Sequence, residues 1–233
     1  MVTVEAPVAK LAALPGVSTA SGVAAAARHD EATGRLLPVR PELRAFLPAG
    51  GLRRGSTVAV RGATSLLLAL LAEATATGSW AAAVGLPHLG VVAAGEYGVE
   101  VSRLALVPKP GVEFASVTAA LLDGMDLVAV NPAGSTPAVA RRLSARARHR
   151  GAVLLSLGPW PGAEIELSCV PGEWTGLRAG SGQLVERRCE VRVAGRRAAA
   201  RARFADLMLP GPVGAVAHQA PAPELAPDLG EVG

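Results

Sequence analysis

Short apolar strands alternate with helix-forming segments along the middle of this 233-residue chain, and this alternation restricts the folds it can adopt. Strand-like runs such as Thr57–Val60 and Leu127–Val130 are almost entirely apolar, which indicates that both of their faces are buried. Strands and helices that alternate in this order build a parallel sheet covered by helices. The order therefore predicts an α/β domain, and ligands of such a domain would bind at the carboxyl edge of the sheet.

The predicted elements follow one another closely. The predicted strands are Thr57–Val60, Trp80–Val84, Arg103–Val107, Asp126–Val130 and Ala152–Leu157. The predicted helices are one that is capped by Thr64 or Ser65 and runs to Ala76, followed by Leu89–Tyr97, Val112–Leu122 and Pro137–Arg150. After Pro161 the pattern changes to the alternating strands Glu164–Val170, Gln183–Val193 and Arg197–Leu209, with a hairpin turn at Gly195-Arg196. This last part predicts an antiparallel extension of the sheet.

The length of the chain and its 50% hydrophobic content favour one domain with tails. Residues 1–35 lack sustained periodicity and are predicted to form a flexible N-terminal arm. The core domain is predicted over residues 36–209. Residues 210–233 are rich in Pro and Ala and are predicted to be a disordered tail, so removal of residues 215–233 is expected to leave folding intact.

Composition excludes several classes of protein. Cys169 and Cys189 are too few and too far apart in sequence for a disulfide framework or a zinc site. The chain has no HExxH, GxSxG or CxxC motif, and its four histidines are scattered. No segment approaches the roughly 20 apolar residues of a membrane span. We therefore expect a cytoplasmic protein, with nucleoid association as a further candidate location, and no metal or membrane partner.

The connection after the first predicted strand is where a phosphate-binding loop would lie. Its residues Gly62, Ala63, Thr64 and Ser65 occupy that position without the expected chemistry. The chain has only two lysines, Lys10 and Lys109, and neither precedes Ser or Thr, so the motif GxxxxGK[ST] is absent. Two interpretations remain for this vestigial position: weak anion binding at the start of the helix, and simple capping of the helix by Thr64 and Ser65, which we favour.

Several phrases resemble known proteins. The segment from Leu36 to Val130 resembles the core of RecA-type recombinases, with Gly50–Gly55 before the first strand and Tyr97–Leu104 before the third. More narrowly, the phrases Ser65–Ala74, Gly78–Pro87 and Gly158–Gly162 resemble the ImuA-type RecA-like proteins, which are encoded beside an inactive Y-family polymerase homologue. The resemblance covers about residues 36–209. It implies a RecA-like core in which a mostly parallel sheet is flanked by helices and continued by a C-terminal antiparallel hairpin.

The same resemblance implies that catalytic groups have been lost. RecA-type proteins place a water-activating carboxylate after the second strand, where this chain has Pro87. They place a magnesium-linked aspartate at the end of the strand that corresponds to Asp126–Val130, where this chain has Asn131. A neutral amide is a poor substitute for a carboxylate near Mg²⁺. Together with the missing lysine, these differences predict a protein that is not an ATPase and binds no nucleotide cofactor.

The ImuA-type resemblance implies a non-catalytic adaptor in DNA-damage tolerance. Its expected partners are the inactive Y-family polymerase homologue and an error-prone replicative polymerase, with DNA as a further candidate. Two alternatives stay open: a stress-induced inhibitor of cell division, because SulA-type proteins resemble the same shortened RecA architecture, and a catalytic recombinase with an unusual loop. A binding assay with the tubulin-like division protein and a nucleotide titration separate these functions.

Arginines carry the remaining functional signal, in a chain whose formal net charge is +4. Candidate residues for binding a partner or DNA are those of the predicted hairpin: Arg187, Arg188, Arg192, Arg196, Arg197, Arg201 and Arg203. Alternation with the apolar residues Cys189, Val191 and Val193 predicts one largely polar face. That face either binds phosphates or carboxylates, or is only a solvated edge. Charge reversal at Arg192, Arg197 and Arg201 together is expected to weaken binding. A second set is predicted to be a solvated helix face: Arg141, Arg142, Arg146, Arg148 and Arg150.

Overall fold

The computed structural model describes residues 34–133, 135–178, 181–196, 202–212 and 216–218. The helices are α1 (Pro41–Arg44), α2 (Thr64–Ala76), α3 (Val91–Glu96), α4 (Phe114–Gly124) and α5 (Pro137–Arg150). The strands are β1 (Leu36–Leu37), β2 (Leu52–Arg53), β3 (Thr57–Arg61), β4 (Ala81–Val84), β5 (Leu104–Val107), β6 (Leu127–Val130), β7 (Val153–Leu157), β8 (Ile165–Trp174), β9 (Leu177–Arg178), β10 (Ser181–Gly182), β11 (Arg187–Gly195), β12 (Arg203–Met208) and β13 (Ala217–His218). Short 3-10 turns cover Val101–Arg103 and Gly111–Glu113.

Nine of these strands form one sheet within the described residues, in the order β13-β12-β11-β8-β3-β7-β6-β4-β5. The six strands β8, β3, β7, β6, β4 and β5, which are neighbours in that order, pair in parallel. The strands β8, β11, β12 and β13 pair antiparallel. This arrangement confirms the predicted α/β fold class, a mostly parallel sheet with a C-terminal antiparallel extension. None of the helices in the described part of the chain has the length and hydropathy that a membrane crossing requires.

The helices cover the parallel sheet on both faces. Val58 and Val60 of β3 pack with α2 and α3 on one face, and Ala59 packs with α4 and α5 on the other. Helix α2 is buried on most sides, because nine of its thirteen residues are buried. The inner residues of the antiparallel extension belong to the same core as α2. The opposite face of the extension lies on the side of α4 and α5.

Helix α5 has the predicted bounds. Thr136 caps it, since its hydroxyl oxygen accepts a hydrogen bond of 3.3 Å from the Val139 N–H, and Pro137 occupies the first turn. Gly151 ends the helix with a φ of 72°, in the left-handed conformation that glycine adopts readily. These local capping signals explain why the predicted bounds of α5 agree with the structure.

Two local predictions are wrong. The residue at the N-cap of α2 is Ala63, and neither Thr64 nor Ser65 caps the helix. The Ser65 hydroxyl instead accepts a hydrogen bond of 3.2 Å from Arg187. The predicted two-residue turn at Gly195-Arg196 is also incorrect, because Gly195 still pairs with Ile165 of β8. The last pair between β11 and β12 joins residues 193 and 203, which makes the connection much longer.

Two residues of the predicted tail pair with the sheet. Residues 217 and 218 form β13, which pairs with β12 at the edge of the sheet. Val216 is only 2% exposed and packs into the core beside α2. The sequence gave no sign of this burial, because Val216 is a single apolar residue in a Pro- and Gly-rich stretch without a periodic apolar pattern. Residues 1–33 and 219–233 lie outside the described residues, so the flexible arm and the rest of the disordered tail stay predictions.

Removal of residues 215–233 is therefore expected to destabilise the domain, whereas the sequence alone predicted that folding would be unaffected. A chain that ends at Gly214 loses the buried Val216 side chain and β13. Its free energy of unfolding should be about 2 kcal/mol below that of a chain ending at His218, the matched control. Denaturant unfolding of the two chains measures this difference, and equal midpoints with equal slopes would show that residues 215–218 contribute nothing to stability.

Candidate functional site

The connection between β3 and α2, at the carboxyl edge of the sheet, contains only Gly62 and Ala63. Gly62 has a φ of 89°, and a Cβ added to it would lie 1.9 Å from the carbonyl oxygen of Cys169 on β8. The loop is therefore pressed against the neighbouring strand. A phosphate-binding loop needs several residues that curve around the anion and direct their N–H groups at it. This connection is too short and too closely packed to do so.

An open hollow of about 490 Å³ lies beside the loop and between the ends of β3 and β7. Its charged side chain, Arg61, forms an ion pair of 3.1 Å with Glu166. The carboxylate neutralises the one cation that lines the hollow and would repel a phosphate. The lining therefore does not select for an anion.

The neighbouring strand ends also lack the groups that a magnesium nucleotide needs. The side-chain oxygen of Asn131 accepts a hydrogen bond of 3.0 Å from the Ala133 N–H, so this amide closes a turn after β6. Pro87 lies exposed in the loop after β4. Within the described residues, no group of three or more His, Cys, Asp or Glu side chains lies close enough together to hold a metal ion. The residues at this edge do not fit a magnesium nucleotide.

Arg187 was predicted to bind a partner, but its guanidinium is used within the domain. It donates to the Leu209 carbonyl and to the Ser65 hydroxyl, both at 3.2 Å. It also lies 5.2 Å above the ring of Trp174, within the range of a cation–π contact. These contacts join the antiparallel extension to the start of α2. Arg187 is drawn inward because it lies on the same side of β11 as the buried Cys189 and Val191.

The two cysteines are neighbours, although their sequence separation gave no sign of it. Cys169 on β8 lies opposite Val191, two residues from Cys189 on β11, and both thiols are free and buried. Burial, reinforced by the Cys189 thiol, raises the pKa of Cys169 to about 12. Burial likewise raises the pKa of Tyr97 to about 12. Both groups are therefore neutral at physiological pH, and Cys169 is not a reactive thiolate.

The other hairpin arginines do not share one face. Arg203 lies opposite the inward-facing Val193 and donates to the Ala45 carbonyl at 3.3 Å. Arg188 forms an exposed ion pair with Asp206, with 3.6 Å between nitrogen and oxygen. Arg192 and Arg196 are exposed, and Arg197 and Arg201 lie outside the described residues. The prediction that the hairpin arginines share one polar face is therefore wrong for the residues that the structure describes.

We call the exposed side of β8, β11 and β12 that lies on the side of α4 and α5 the outer face. It carries both signs of charge together with exposed apolar side chains. Its members are Val170, Arg188, Glu190, Arg192, Phe204 and Asp206. Val170 and Phe204 are 62% and 60% exposed. A face of this kind is not a phosphate-binding surface, because its acidic side chains offset its arginines.

Helix α5 carries a more strongly basic surface, and part of it fastens α5 to α4. Arg146 and Arg150 both donate to the carboxylate of Asp123, and the hydrogen bond from Arg146 lowers the pKa of that carboxyl group. Arg148 pairs with Glu164 at 3.2 Å. Among the described residues, Arg141 and Arg142 have no ion-pair partner. Part of the predicted solvated helix face therefore binds α5 to α4 through ion pairs, and the rest is exposed positive charge.

A groove of about 310 Å³ separates α4 from α5. Its lining consists of Ala115, Ser116, Ala119, Val139, Arg142, Leu143 and Arg146. Sequence reasoning missed this groove, because it depends on small residues of α4 lying beside α5. The spacing of Ala115 and Ala119, one helical turn apart, was the only available sign of it.

Comparison with known proteins agrees with this architecture. The crystal structure of the RadB recombinase superposes with a TM-score of 0.54 at 15% sequence identity, over 72% of this chain and 92% of RadB. This similarity shows that the fold is RecA-like. The uncharacterized protein Rv3395c of Mycobacterium tuberculosis (strain ATCC 25618 / H37Rv) is 45% identical over 128 residues. That alignment covers 53% of this chain and 63% of the length of Rv3395c.

A family model describes the same central region. The model of the MT3502 N-terminal domain matches residues 45–162, slightly more than half of the chain. This range runs from the end of α1 to the segment after β7 and so contains the whole parallel sheet except β8. The chain therefore belongs to the MT3502 N-terminal domain family and has a RecA-like fold.

Proposed function

We propose that this protein is a non-catalytic RecA-like adaptor in DNA-damage tolerance. Its partners would be an inactive Y-family polymerase homologue and an error-prone replicative polymerase acting in translesion synthesis, with DNA as a further candidate. The ImuA-type phrases of the sequence suggest this role. The Mycobacterium relative adds no functional statement of its own, so the assignment depends on the resemblance and on the site.

One observation supports the proposal: the RecA-like fold is kept, while the connection at the position of a phosphate-binding loop is short and packed against β8. Gly62 lies against the carbonyl of Cys169, and only two residues connect β3 to α2. The arginine that lines the hollow beside this connection, Arg61, already forms an ion pair with Glu166. A scaffold that keeps its core but has at this place neither a lysine nor a loop that can wrap around a phosphate is better suited to binding a protein than to hydrolysing ATP.

The test is a co-purification of the full chain with the polymerase-like partner, with and without Mg-ATP. We expect a complex at micromolar protein concentrations. Its yield should not change when Mg-ATP is added, because the described residues at the carboxyl edge do not fit a magnesium nucleotide. A chain carrying Ala63→Gly and Thr64→Lys, which restores Gly-Lys-Ser, is the matched variant. It should bind the partner equally well and still show no ATP turnover.

Two outcomes would contradict the proposal. One is the absence of a complex at micromolar concentrations, and binding to the tubulin-like division protein instead would favour the cell-division inhibitor. The other is a complex that forms only with Mg-ATP, or ATP turnover by the unmodified chain that is abolished by mutation at Thr64 or Ser65. Either form of nucleotide dependence would favour the catalytic recombinase.

A further inference from the structure

The groove between α4 and α5 combines an apolar floor with a cationic rim. Leu143 is 3% exposed and forms the floor with Val139 and the alanines of α4. Arg142, which has no ion-pair partner among the described residues, and Arg146, which is paired with Asp123, line its rim. Such a groove fits one or two small aliphatic side chains that have a carboxylate beside them.

This chemistry favours a peptide over a nucleic acid. A phosphate backbone would bind the arginines but would leave the apolar floor uncovered. A peptide in which acidic and aliphatic residues are adjacent uses both parts of the groove. Arginine is well suited to pair with such carboxylates at a rim.

Residues 219–233 of this chain have the required composition. Three adjacent pairs each join an acidic and an aliphatic residue: Glu224-Leu225, Asp228-Leu229 and Glu231-Val232. The segment contains no lysine or arginine. Its charge is therefore opposite to that of α5, which carries five arginines and no acidic residue.

The position of β13 places the groove within reach of this segment. The described chain ends at His218 on the edge strand, and β6, which lies below the groove, is six strand positions away. Six spacings of about 4.8 Å give about 29 Å across the sheet, and the helix layer adds about 10 Å of height. Taken at right angles, these two distances give a direct span of about 31 Å, which ten or eleven extended residues of about 3.3 Å each can reach. Asp228 and Leu229 are ten and eleven residues beyond His218.

The path crosses the outer face, where nothing in the described part of the chain covers Val170 or Phe204. Residues 219–227 would pass over these side chains, with Leu225 available to contact them. The two acidic residues of the outer face do not oppose this path strongly, because Asp206 pairs with Arg188 and Glu190 lies between Arg188 and Arg192 on the same side of β11.

We propose that residues 219–233 fold back over the outer face of the same chain and place the pairs around Asp228 and Glu231 in the groove between α4 and α5. In this arrangement the C-terminal segment covers Arg142, so any partner that uses the basic side of α5 must first displace it. The inference is separate from the adaptor function, since it concerns only contacts within one chain.

Disulfide trapping in the full chain tests this arrangement. One variant carries Ser116→Cys at the groove and Gly230→Cys beside Leu229, and the matched control carries Ala145→Cys, exposed on α5 outside the groove, with the same Gly230→Cys. The native Cys169 and Cys189 are 4% and 0% exposed and should not compete. With oxidised glutathione, we expect the groove pair to form an intramolecular disulfide at least about 10-fold faster than the control, since both pairs are tethered by the same length of chain.

A charge exchange gives an independent readout. Adding Arg142→Glu should slow trapping of the groove pair, and adding Asp228→Arg to that variant should restore much of the rate. Equal rates for the groove pair and the Ala145 control would overturn the proposal. Trapping only between two molecules would also overturn it, because the groove would then accept a segment of a second copy. Neither result involves the polymerase-like partner or a nucleotide, so the adaptor function would be unaffected.

Discussion

Replacing Gly62 by alanine is expected to lower the free energy of unfolding by at least about 3 kcal/mol. Two causes add together. A non-glycine residue at a φ of 89° costs about 1–2 kcal/mol. The new Cβ would also lie 1.9 Å from the Cys169 carbonyl oxygen, so either the loop or β8 must move and disturb the pairing of β3 with β8.

Gly78 provides the control for this substitution. Its φ is 110°, and an added Cβ would meet no atom within 4 Å. The Gly78→Ala variant therefore measures the backbone cost alone, about 1–2 kcal/mol. Denaturant unfolding of both variants separates the cost of the clash from the cost of the backbone conformation. If Gly62→Ala were no more destabilising than Gly78→Ala, the loop would have room to open, and the argument for a closed nucleotide site would fail.

The close approach at Gly62 also decides how the missing lysine should be interpreted. The sequence shows the absence of a residue type, which a point mutation could reverse. The structure shows that the connection from β3 to α2 is short and packed against β8, which a point mutation does not reverse. The absence of a lysine and the short, packed connection are therefore separate obstacles to phosphate binding, and only the second is visible in the three-dimensional arrangement.

The sequence predicted the parallel sheet well because its signals are local. Apolar strands such as Leu127–Val130 indicate burial on both faces of the sheet. Thr136 and Pro137 mark the start of α5, and Gly151 marks its end. The loop after β3 was located correctly for the same reason. Strand order was not predicted, since it depends on pairing between segments that are far apart in the chain.

The arginines were harder to interpret because their roles depend on partners distant in sequence. Arg187 is 122 residues from Ser65, to which it donates, and Arg203 is 158 residues from Ala45. Alternation along β11 suggests which residues share a face, but it does not reveal which cations are already paired within the protein. The same limit applies to the two cysteines and to Val216, whose surroundings are formed by other strands.

Trp160 belongs to the phrase Gly158–Gly162, one of those on which the ImuA-type resemblance depends, and its surroundings indicate a structural role. It is 5% exposed and packs in the core on the side of α4 and α5. Its indole N–H donates to the Ser144 hydroxyl of α5 at 2.9 Å, and the Thr57 hydroxyl of β3 donates to the same oxygen at 3.1 Å. This chain of hydrogen bonds joins the segment after β7 to α5 and to the central strand.

Trp160→Ala is therefore expected to lower the free energy of unfolding by about 3–5 kcal/mol, because it leaves a large cavity and removes the donor to Ser144. Trp160→Phe keeps most of the ring and loses the hydrogen bond, so it should cost only about 1–2 kcal/mol. Trp174→Ala is the contrasting variant: Trp174 is 41% exposed, and its loss removes mainly the contact with Arg187, worth about 1 kcal/mol. Denaturant unfolding followed by circular dichroism orders the three variants. A Trp160→Ala protein as stable as the unmodified chain would mean that the phrase does not support the core, and a role in contacting a partner would then become the better explanation for it.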